Sequence, residues 1–544
     1  MNTAEAVGRT LAGLGVRQVF GVVGSGNFHV TNALVDSGAR FVAARHECGA
    51  ATMADAYARM SDTVAAVSVH QGCGLTNAMT GITEAAKSRT PLLVLAAEAT
   101  SPLSNFFVDQ PALAAAVGAV PMRVTSPESA VNEAASAYWM ACRDRRTVLL
   151  NLPLDVQATE VPSDATACPH PPAATELPVD GEGVARLVQA LAAAERPVFI
   201  AGRGGRGARA ALEQLAESTG ALLATSAVAN GLFEGDPWSL GISGGFASPL
   251  AVELIRDADL IVGWGCALNM WTMSHGALIG SAATVVQVDL EPAAIGRSRP
   301  IDVGVVGDVA ETATAAAALL PTRAGSGYRS PETGERISQQ GRWRDVAIDD
   351  TSTAERIDPR VLSVALDDLL PRERVVAIDS GNFMGYPSAY LAVPDEYGYC
   401  MTQSFQSIGL GLATAIGAAL AQPDRLPVAA LGDGGALMAA SELETVVRLG
   451  LPMVVVVYND AGYGAEVHHF GPHGHDLRNV VFPDTDLAST ARGIGFDAVT
   501  VRTVGDLDAV RSWIAGARSR PLLVDAKVVA DHPSWWLEEA FRGH

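Results

Sequence analysis

Short apolar runs alternate with stretches of helical spacing along the chain, and this rhythm recurs in three successive blocks. Each run is too short for a helix and too apolar for a half-exposed strand, which predicts a strand buried on both faces. Strands that alternate with helices indicate a doubly wound parallel sheet. The predicted strands lie at residues 18–23, 41–44, 65–69, 92–96 and 147–152, then at 198–201, 221–224, 260–265, 284–288 and 303–306, and finally at 375–378, 428–431, 453–458 and 522–526.

Two stretches without apolar periodicity separate the blocks. Residues 161–178 are rich in Pro, Ala and Thr, and residues 321–358 are polar, so both are predicted to be linkers. A chain of 544 residues is also too long for a single hydrophobic core. We therefore expect an α/β fold with three doubly wound parallel-sheet domains, over residues 1–162, 180–320 and 357–544.

Composition narrows the class of protein. The formal net charge of −21 argues against nucleic acid and against an anionic membrane surface as partners. The first residues lack a basic stretch followed by an apolar one, and no apolar run approaches membrane-spanning length. The cysteines at positions 48, 73, 142, 168, 266 and 400 form no CxxC pair, which is typical of reduced thiols. We expect a cytoplasmic protein.

The segment from residue 427 to 464 has the clearest chemical pattern. An apolar run that ends in Gly-Asp-Gly-Gly, a helical stretch at 436–449 with Gly450 at its C′ position, and a second apolar run predict a β-α-β unit. The two strands end in Asp433 and Asp460. Ligands of parallel sheets bind beyond the carboxyl ends of the strands. Two carboxylates there repel each other unless a cation lies between them, and oxygen ligands suit Mg²⁺ or Ca²⁺.

The glycines around Asp433 extend this hypothesis to a phosphate ligand. Gly432, Gly434 and Gly435 let the backbone approach a ligand closely, and the helix N-terminus that follows offers free N–H groups to an anion. A cation beside a helix N-terminus predicts a diphosphate site. The alternative is a tight turn with an Asp N-cap, but the second acid, one crossover later, favours the metal.

This order of features resembles the thiamine diphosphate (ThDP) signature. Nearly the whole chain resembles the superfamily of acetolactate synthase, pyruvate decarboxylase, benzoylformate decarboxylase and benzaldehyde lyase. The resemblance implies that Asp433 and Asp460 bind Mg²⁺ through their side chains and Gly462 through its carbonyl. Asp460 stands where Asn is commoner, and its extra charge should make metal binding tighter and more pH-dependent. The resemblance also assigns ThDP contacts to Gly432, Gly434, Gly435, Tyr463 and Gly464.

The activating acid is expected in the first block. Residues 41–47 predict a strand that ends in His-Glu and is followed by an Ala-rich helix. Taken alone, Glu47 fits the first turn of that helix, where the helix dipole favours an acid. The resemblance implies a further role, because the pattern matches the segment of the superfamily's activating glutamate. Glu47 is therefore expected to hydrogen-bond N1′ of the aminopyrimidine at low dielectric constant.

Other residues of the first block are expected beside the cofactor and substrate. Residues 69–77 are similar to the His-containing loop of benzoylformate decarboxylases, so His70 is a candidate proton donor or acceptor, with a buried structural histidine as the alternative. Asn77, in the same loop, is expected to contact the cofactor. Ser25 lies at a position where relatives carry residues that face the substrate. Gln110 matches a glutamine that acetolactate synthases place near the substrate.

The last block completes the expected site. Asp379, Gly381 and Asn382 follow its first strand, as similar residues near the diphosphate do in the superfamily. Ile408 stands at the place of the large apolar residue that bends the cofactor, and Gln406 would hold the 4′-amino group with its carbonyl.

An acid and several histidines follow Asp460 in the sequence. Glu466 matches the position at which pyruvate decarboxylases carry a glutamate near the substrate carboxylate, and a solvated helix residue is the alternative. The histidines at 468, 469, 473 and 475 suggest a metal, but their spacing lacks the order of a zinc site. A loop that closes over the substrate is the preferred interpretation.

The middle block contains a dinucleotide-like motif. Residues 202–207 read Gly-Arg-Gly-Gly-Arg-Gly and match GxGxxG, but no acid follows about 20 residues later, where a ribose would need one. Residues 263–271 also do not resemble the flavin segment of acetolactate synthases. We therefore do not expect FAD in this domain.

The resemblance implies a function. We expect ThDP- and Mg²⁺-dependent decarboxylation of a 2-oxo acid followed by carboligation to a second carbonyl compound, as in acetolactate synthases. In the superfamily, residues equivalent to Glu47 and Asp433 meet across a subunit interface, which implies a homodimer or homotetramer. The alternatives are a simple 2-oxo acid decarboxylase, an FAD-containing 2-oxo acid oxidase and a nucleotide-binding protein without catalysis.

Overall fold

The computed structural model describes residues 1–167, 169, 171, 179–321, 326–531 and 533–537. In this part of the chain the strands form three separate six-stranded sheets. Every strand pair within the sheets is parallel. The expected α/β fold with three parallel-sheet domains is confirmed, whereas the predicted domain limits stay predictions.

The first domain surrounds a sheet of order β2-β1-β3-β4-β6-β5. Its strands are β1 (Gln18–Gly21), β2 (Arg40–Ala43), β3 (Ala65–Val69), β4 (Leu92–Glu98), β5 (Val120–Arg123) and β6 (Thr147–Pro153). Its helices are α1 (Thr3–Leu14), α2 (Phe28–Asp36), α3 (Glu47–Ser61), α4 (Cys73–Lys87), α5 (Gln110–Ala116), α6 (Ala130–Arg143) and α7 (Leu154–Gln157).

The central domain has the strand order β12-β11-β10-β7-β8-β9, which is the order of the dinucleotide-binding fold. Its strands are β7 (Pro197–Ala201), β8 (Leu222–Thr225), β9 (Ser239–Ile242), β10 (Leu260–Trp264), β11 (Thr284–Asp289) and β12 (Val303–Val306). Its helices are α8 (Gly181–Ala193), α9 (Arg209–Thr219), α10 (Pro249–Arg256) and α11 (Val309–Leu319), and α12 (Pro331–Gln340) follows.

The third domain repeats the topology of the first, with order β14-β13-β15-β16-β18-β17. Its strands are β13 (Arg374–Ile378), β14 (Tyr399–Met401), β15 (Leu426–Gly432), β16 (Val454–Asn459), β17 (Asp497–Val501) and β18 (Leu522–Lys527). Its helices are α13 (Pro359–Leu369), α14 (Gly385–Tyr390), α15 (Gly411–Ala421), α16 (Asp433–Met438), α17 (Glu442–Arg448), α18 (Gly464–Phe470), α19 (Leu487–Ile494) and α20 (Asp508–Ala515).

Four strands that the sequence pattern did not predict all lie at sheet edges. They are β5, β9, β14 and β17. An edge strand is partly exposed and needs no continuous apolar run, and β5 alternates half-buried with exposed positions. Apolar runs therefore predict all the interior strands of the described sheets but only two of their six edge strands, β2 and β12.

Two predicted segments differ from the structure. The stretch 321–358 was predicted as a structureless linker, but it contains α12, capped by Ser330, whose buried Ile337 packs in the central domain. The predicted helix over 436–449 is two short helices, α16 and α17, although Gly450 follows the second with φ +64°, as expected for a C′ glycine. Of the other predicted linker, residues 168, 170 and 172–178 lie outside the described residues.

The first and third domains pack together within one chain. Helices α3 and α15 share a single apolar cluster that includes Met53, Ala56 and Ile416. Gly417 permits their close approach, because a Cβ there would lie 2.2 Å from the Met53 carbonyl oxygen. This packing fixes the third domain against α3.

The two arginines of the GxGxxG match bind the first domain. The guanidinium of Arg206 donates to the carbonyl of Arg59 at 2.7 Å, and that of Arg203 donates to the carbonyl of Ser88. Both carbonyls lie at helix C-termini, where they lack helical partners and favour a cation. Arg206 also lies over the ring of Tyr397, 5.3 Å from its centroid. The glycine-rich loop thus joins the central domain to the other two.

Two predictions from composition can be compared with the structure. Among the described residues, no helix combines the length and the hydropathy that crossing a membrane requires. The cysteines at positions 48, 73, 142, 266 and 400 are free thiols, and Cys168 lies outside the described residues.

Candidate active site

The two aspartates of the third domain meet at the carboxyl edge of its sheet. Asp433 begins α16 directly after β15, and Asp460 follows the neighbouring strand β16. Asp433 is only 7% exposed, and the two carboxyl groups contact each other through a hydrogen bond. The sequence predicts one acid at the end of each of two consecutive strands, and the structure brings the two acids together.

This contact requires a shared proton when no cation is present. Burial raises the pKa of both carboxyl groups, and the charge of Asp433 raises that of Asp460 further, to about 8. Two unit charges 4 Å apart repel by about 4 kcal/mol at an effective dielectric constant of 20. A divalent cation that displaces the proton would turn this repulsion into attraction.

The backbone around the pair excludes side chains and is strained. A Cβ on Gly464 would lie 2.3 Å from Oδ2 of Asp460, so a larger residue there would displace this carboxylate. Ala461 has φ +60°, which is unusual for a residue with a Cβ. Its N–H donates to the Asn459 side chain at 3.1 Å, and its carbonyl accepts the N–H of Phe482 at 2.8 Å. Such strain typically marks a functional loop.

Asp379 anchors a neighbouring loop. Its buried carboxylate accepts the N–H groups of Ser380 at 2.9 Å, Gly409 at 2.9 Å and Leu410 at 3.2 Å. Burial raises the pKa of Asp379 to about 6, and these N–H groups oppose the shift. Direct contact of Asp379 with a diphosphate stays a prediction, and the structure gives this side chain a supporting role.

A cavity of about 900 Å³ opens beside the aspartates, between the third and central domains. Gln406, with φ +60°, and Ile408 lie on its wall, as does Glu466 in the first turn of α18. The predicted residues that line it are Gly381, Asn382, Gln406, Ile408, Gly432, Asp433, Gly434, Gly435, Asp460, Gly462, Tyr463, Gly464 and Glu466.

The sequence analysis missed an aromatic wall of this cavity. Trp536 contacts both Phe246 and Trp271 of the central domain, and all three line the cavity. The carbonyl of Asn382 accepts Trp536 Nε1–H at 3.2 Å and the Ser534 hydroxyl at 2.6 Å, which holds residues 534–536 beside the cavity. The adjacent tryptophans Trp535 and Trp536 were the sequence feature that could have indicated this wall.

The predicted residues of the first domain form a second cluster. Glu47, at the start of α3, accepts a hydrogen bond from the Asn77 amide at 3.1 Å. Nδ1 of His70 lies 3.1 Å from the Gln71 carbonyl, and Nε2 lies 3.4 Å from the Ser25 hydroxyl. A carbonyl only accepts, so a neutral His70 carries its proton on Nδ1 and leaves Nε2 as an acceptor toward Ser25.

Gln110 holds the loop that follows His70. It is 1% exposed; its carbonyl oxygen accepts the Gly72 N–H at 3.1 Å, and its amide donates to the Asn151 side chain at 2.8 Å. One N–H and the carbonyl oxygen of this amide therefore hold the loop after His70. Contact of Gln110 with substrate stays a prediction.

The two clusters do not share one cavity within a single chain. Of the described residues, the first domain contributes Arg59, Lys87 and Ser88 to the cavity wall, and none of its predicted catalytic residues. The structure thus presents the aspartate pair and the Glu47–His70 cluster at different places of one chain.

The histidine cluster shows no metal geometry. Among the described residues, no group of three or more His, Cys, Asp or Glu side chains is arranged to hold a metal ion. His469 and His475 pack edge-on against Phe470, with centroids 4.7 and 5.5 Å apart. Closure of this segment over the substrate stays a prediction.

The cavity fits a diphosphate with its cation. The Asp433–Asp460 pair offers carboxylate oxygens of the kind that bind a hard cation, and Gly432, Gly434 and Gly435 line the cavity with backbone alone. Gln403, on the same wall, has buried amide atoms without a hydrogen-bond partner among the described residues. Buried polar atoms are rarely left unpaired unless a ligand or water reaches them.

Comparison with known proteins agrees with this geometry. Residues 1–117 match the N-terminal TPP-binding domain of thiamine pyrophosphate enzymes, TPP being another name for ThDP. Residues 184–316 match their central domain, and residues 379–526 match their C-terminal TPP-binding domain.

Several known proteins are similar over most of the chain. A sulfoacetaldehyde acetyltransferase of Rhodobacter capsulatus is 28% identical, covering 97% of this chain and 94% of the relative. A probable 2-ketoarginine decarboxylase of Pseudomonas aeruginosa is 30% identical, covering 85% and 83%. The acetolactate synthase large subunit of Parasynechococcus marenigrum is 27% identical, covering 93% and 84%.

Proposed function

Because this chain belongs to the thiamine pyrophosphate enzymes, we propose that it uses ThDP and Mg²⁺ to cleave and form carbon–carbon bonds of 2-oxo acids. Decarboxylation of one 2-oxo acid is followed by addition to a second carbonyl compound. The observation that carries this proposal is the contact between the buried carboxyl groups of Asp433 and Asp460 on the wall of a cavity. The relatives include an acetyltransferase, a decarboxylase and a synthase, which supports a reaction of this class.

The third domain would hold the cofactor. Asp433 and Asp460 would bind Mg²⁺ with their carboxylates and Gly462 with its carbonyl, in an all-oxygen set that suits this ion. Ile408 and Gln406 would face the cofactor from the neighbouring loop. When bound, ThDP supplies an electron sink for the carbanion formed as carbon dioxide leaves.

Glu47 of the partner subunit would complete the site. Exposed apolar side chains flank both halves: Leu103 is 95% and Phe106 43% exposed in the first domain, and Met438 is 55% exposed in the third. Phe106 packs against His70, and Met438 lines the cavity. A second copy of the chain would cover these surfaces and carry Glu47 to the pyrimidine end of the cofactor, which implies a homodimer or a homotetramer.

Three polar side chains would serve the substrate. His70, with Nε2 directed at Ser25, would take or give a proton at the reacting carbon's oxygen. Glu466 lies on the cavity wall, at the start of α18, and would face the substrate in the site that His70 of the partner subunit completes. This combination suits the protonation steps of a decarboxylase and the deprotonation steps of a carboligase.

Removing the imidazole should slow turnover without releasing the cofactor. We expect His70→Ala to lower kcat about a hundredfold, because general acid–base catalysis commonly contributes a factor of this size. ThDP affinity should stay within about threefold of wild type, since His70 lies away from the cation pair. Steady-state kinetics and ThDP titration by tryptophan fluorescence measure both quantities.

His29→Ala is a matched control. His29 is an exposed histidine of the same domain, at the start of α2, and should have wild-type kcat when replaced. A His70→Ala variant as fast as His29→Ala would contradict the role of His70.

A substrate panel tests the proposed function. The protein, loaded with ThDP and Mg²⁺, is incubated with a set of 2-oxo acids, each with and without an aldehyde acceptor, and the products are identified. We expect carbon dioxide with every accepted acid, and a coupled hydroxyketone when an acceptor is present. An aldehyde alone would indicate a simple decarboxylase, and a yellow, oxidising protein would indicate the FAD-containing alternative. Absence of any turnover would contradict the proposal.

A further inference from the structure

Glu84 of the first domain binds the loop that carries Gln406 and Ile408 in the third. This side chain is fully buried. Its carboxylate accepts the N–H of Ser404 at 3.0 Å and that of Phe405 at 2.6 Å. Two backbone donors separated from Glu84 by more than 300 residues thus depend on one carboxylate for their hydrogen bonds.

The other end of the same loop is held by Asp379. Gly409 N–H and Leu410 N–H donate to its carboxylate at 2.9 and 3.2 Å. Gln406, between the two anchors, has φ +60°, a conformation that persists only when the surroundings impose it. The two buried acids, one from each domain, impose it.

Arg59 holds Glu84 in place. Its guanidinium donates to Glu84 at 2.7 Å, and to both oxygens of Asp55 at 2.9 and 2.6 Å. Arg59 also donates to the Met401 carbonyl at 2.9 Å, just before the loop. Asp55 and Glu84 are both fully buried, but Asp55 contacts Arg59 without touching the loop.

We propose that Glu84 is a positioning residue that sets the Gln406 carbonyl and the Ile408 side chain for the cofactor, tying this loop to the first domain of the same chain. The proposal rests on the proposed use of ThDP. Glu84 links the domain that carries Glu47 to the loop that would bend the cofactor of the adjacent site. The positions of these two half-sites are thereby fixed relative to each other. An uncharged amide at position 84 would turn one donor toward the loop N–H groups and leave one of them unpaired.

The test uses Glu84→Gln, with Glu84→Asp as a second variant that keeps the charge but shortens the reach. In cofactor-free protein, deuterium exchange of the amides at 402–410 should be at least about tenfold faster than in wild type, because the loop loses a buried anchor. In the same variants the Kd for ThDP should rise about tenfold or more, and exchange of the C2 proton of bound ThDP should slow about a hundredfold.

Asp55→Asn is the matched control, because it weakens the same buried ion cluster without touching the loop. We expect it to lower the melting temperature while leaving loop-amide exchange and ThDP affinity within about threefold of wild type. Folded Glu84 variants with wild-type loop exchange, or with fast loop exchange and unchanged ThDP affinity, would overturn the proposal. An Asp55→Asn variant with the same cofactor defects would overturn it as well. A wild-type chain that fails to bind ThDP would contradict the proposed function, and the cofactor-free exchange would still decide the anchoring.

Discussion

Replacing Glu47 with glutamine is expected to leave ThDP and Mg²⁺ bound and to lower turnover about a thousandfold. Glutamine has the shape of glutamate but lacks the negative charge that favours a proton on the pyrimidine nitrogen. In this structure Glu47 keeps one carboxylate oxygen on Asn77, so the side chain is already oriented by its own domain. The substitution should therefore lower kcat and slow exchange of the C2 proton, without weakening ThDP binding.

The matched control is Glu444→Gln. Glu444 is also an acid in an ion pair with the first domain, to Arg45 at 2.6 Å, but its side chain is 37% exposed and lies outside the cavity wall. We expect this variant to have wild-type turnover. Unchanged turnover in a Glu47→Gln protein of verified ThDP content would refute the assignment of Glu47.

Replacing Asp460 with alanine is expected to abolish ThDP binding at ordinary Mg²⁺ concentrations. The metal would lose one of its two carboxylate ligands. None of the residues predicted to contact the diphosphate carries a positive charge that could replace the metal. We expect the Kd for ThDP to rise at least about a hundredfold, more than loss of an outer-sphere partner would cause. Titration followed by tryptophan fluorescence over a range of Mg²⁺ concentrations measures it.

Asp460→Asn is the informative comparison, because asparagine is the commoner residue in the family pattern. This variant should bind ThDP, but its pH dependence should differ from that of wild type. In wild type, a proton on the pair competes with Mg²⁺ below the Asp460 pKa of about 8. Apparent Mg²⁺ affinity should therefore rise up to about tenfold per pH unit as pH increases, and level off above about pH 8. The asparagine variant should show a flat profile over this range, and retained binding in Asp460→Ala would contradict the metal assignment.

The sequence was sufficient for the architecture wherever strands are buried on both faces. Runs such as those of β15 and β16 predict interior parallel strands, and the position of the two aspartates at their carboxyl ends then follows from sheet geometry. Edge strands give a less reliable signal. The half-exposed β17 was missed, whereas the edge strands β2 and β12 were predicted although their burial is mixed.

Local sequence pattern was enough to single out some of the candidate residues. Glu47 and Asn77 lie in different helices of the first domain, α3 and α4, and each was singled out from the pattern around it. Gln110 and Asp379 show the limit. Both were singled out from the sequence. The groups that their side chains bind, however, belong to distant loops: the Gly72 N–H for Gln110 and the Gly409 N–H for Asp379.

Contacts between domains could not be predicted from local pattern. The GxGxxG match suggested a nucleotide site, but Arg203 and Arg206 bind helix ends of the first domain. Glu84 lies in an unremarkable helical stretch, and its bonds to Ser404 and Phe405 exist only after two domains have packed. Such pairings span hundreds of residues and leave no periodicity in the sequence.

Complementation between two inactive variants tests the central claim that Glu47 and the aspartate pair of different chains form one site. Glu47→Gln and Asp460→Ala chains are each purified, mixed in equal amounts and allowed to exchange subunits, and turnover is measured once mixed dimers are shown to form. A site shared between chains places both intact residues together in one of the two sites of each mixed dimer, so turnover should recover to about a quarter of wild type. Turnover no higher than the mean of the two parents would contradict the account.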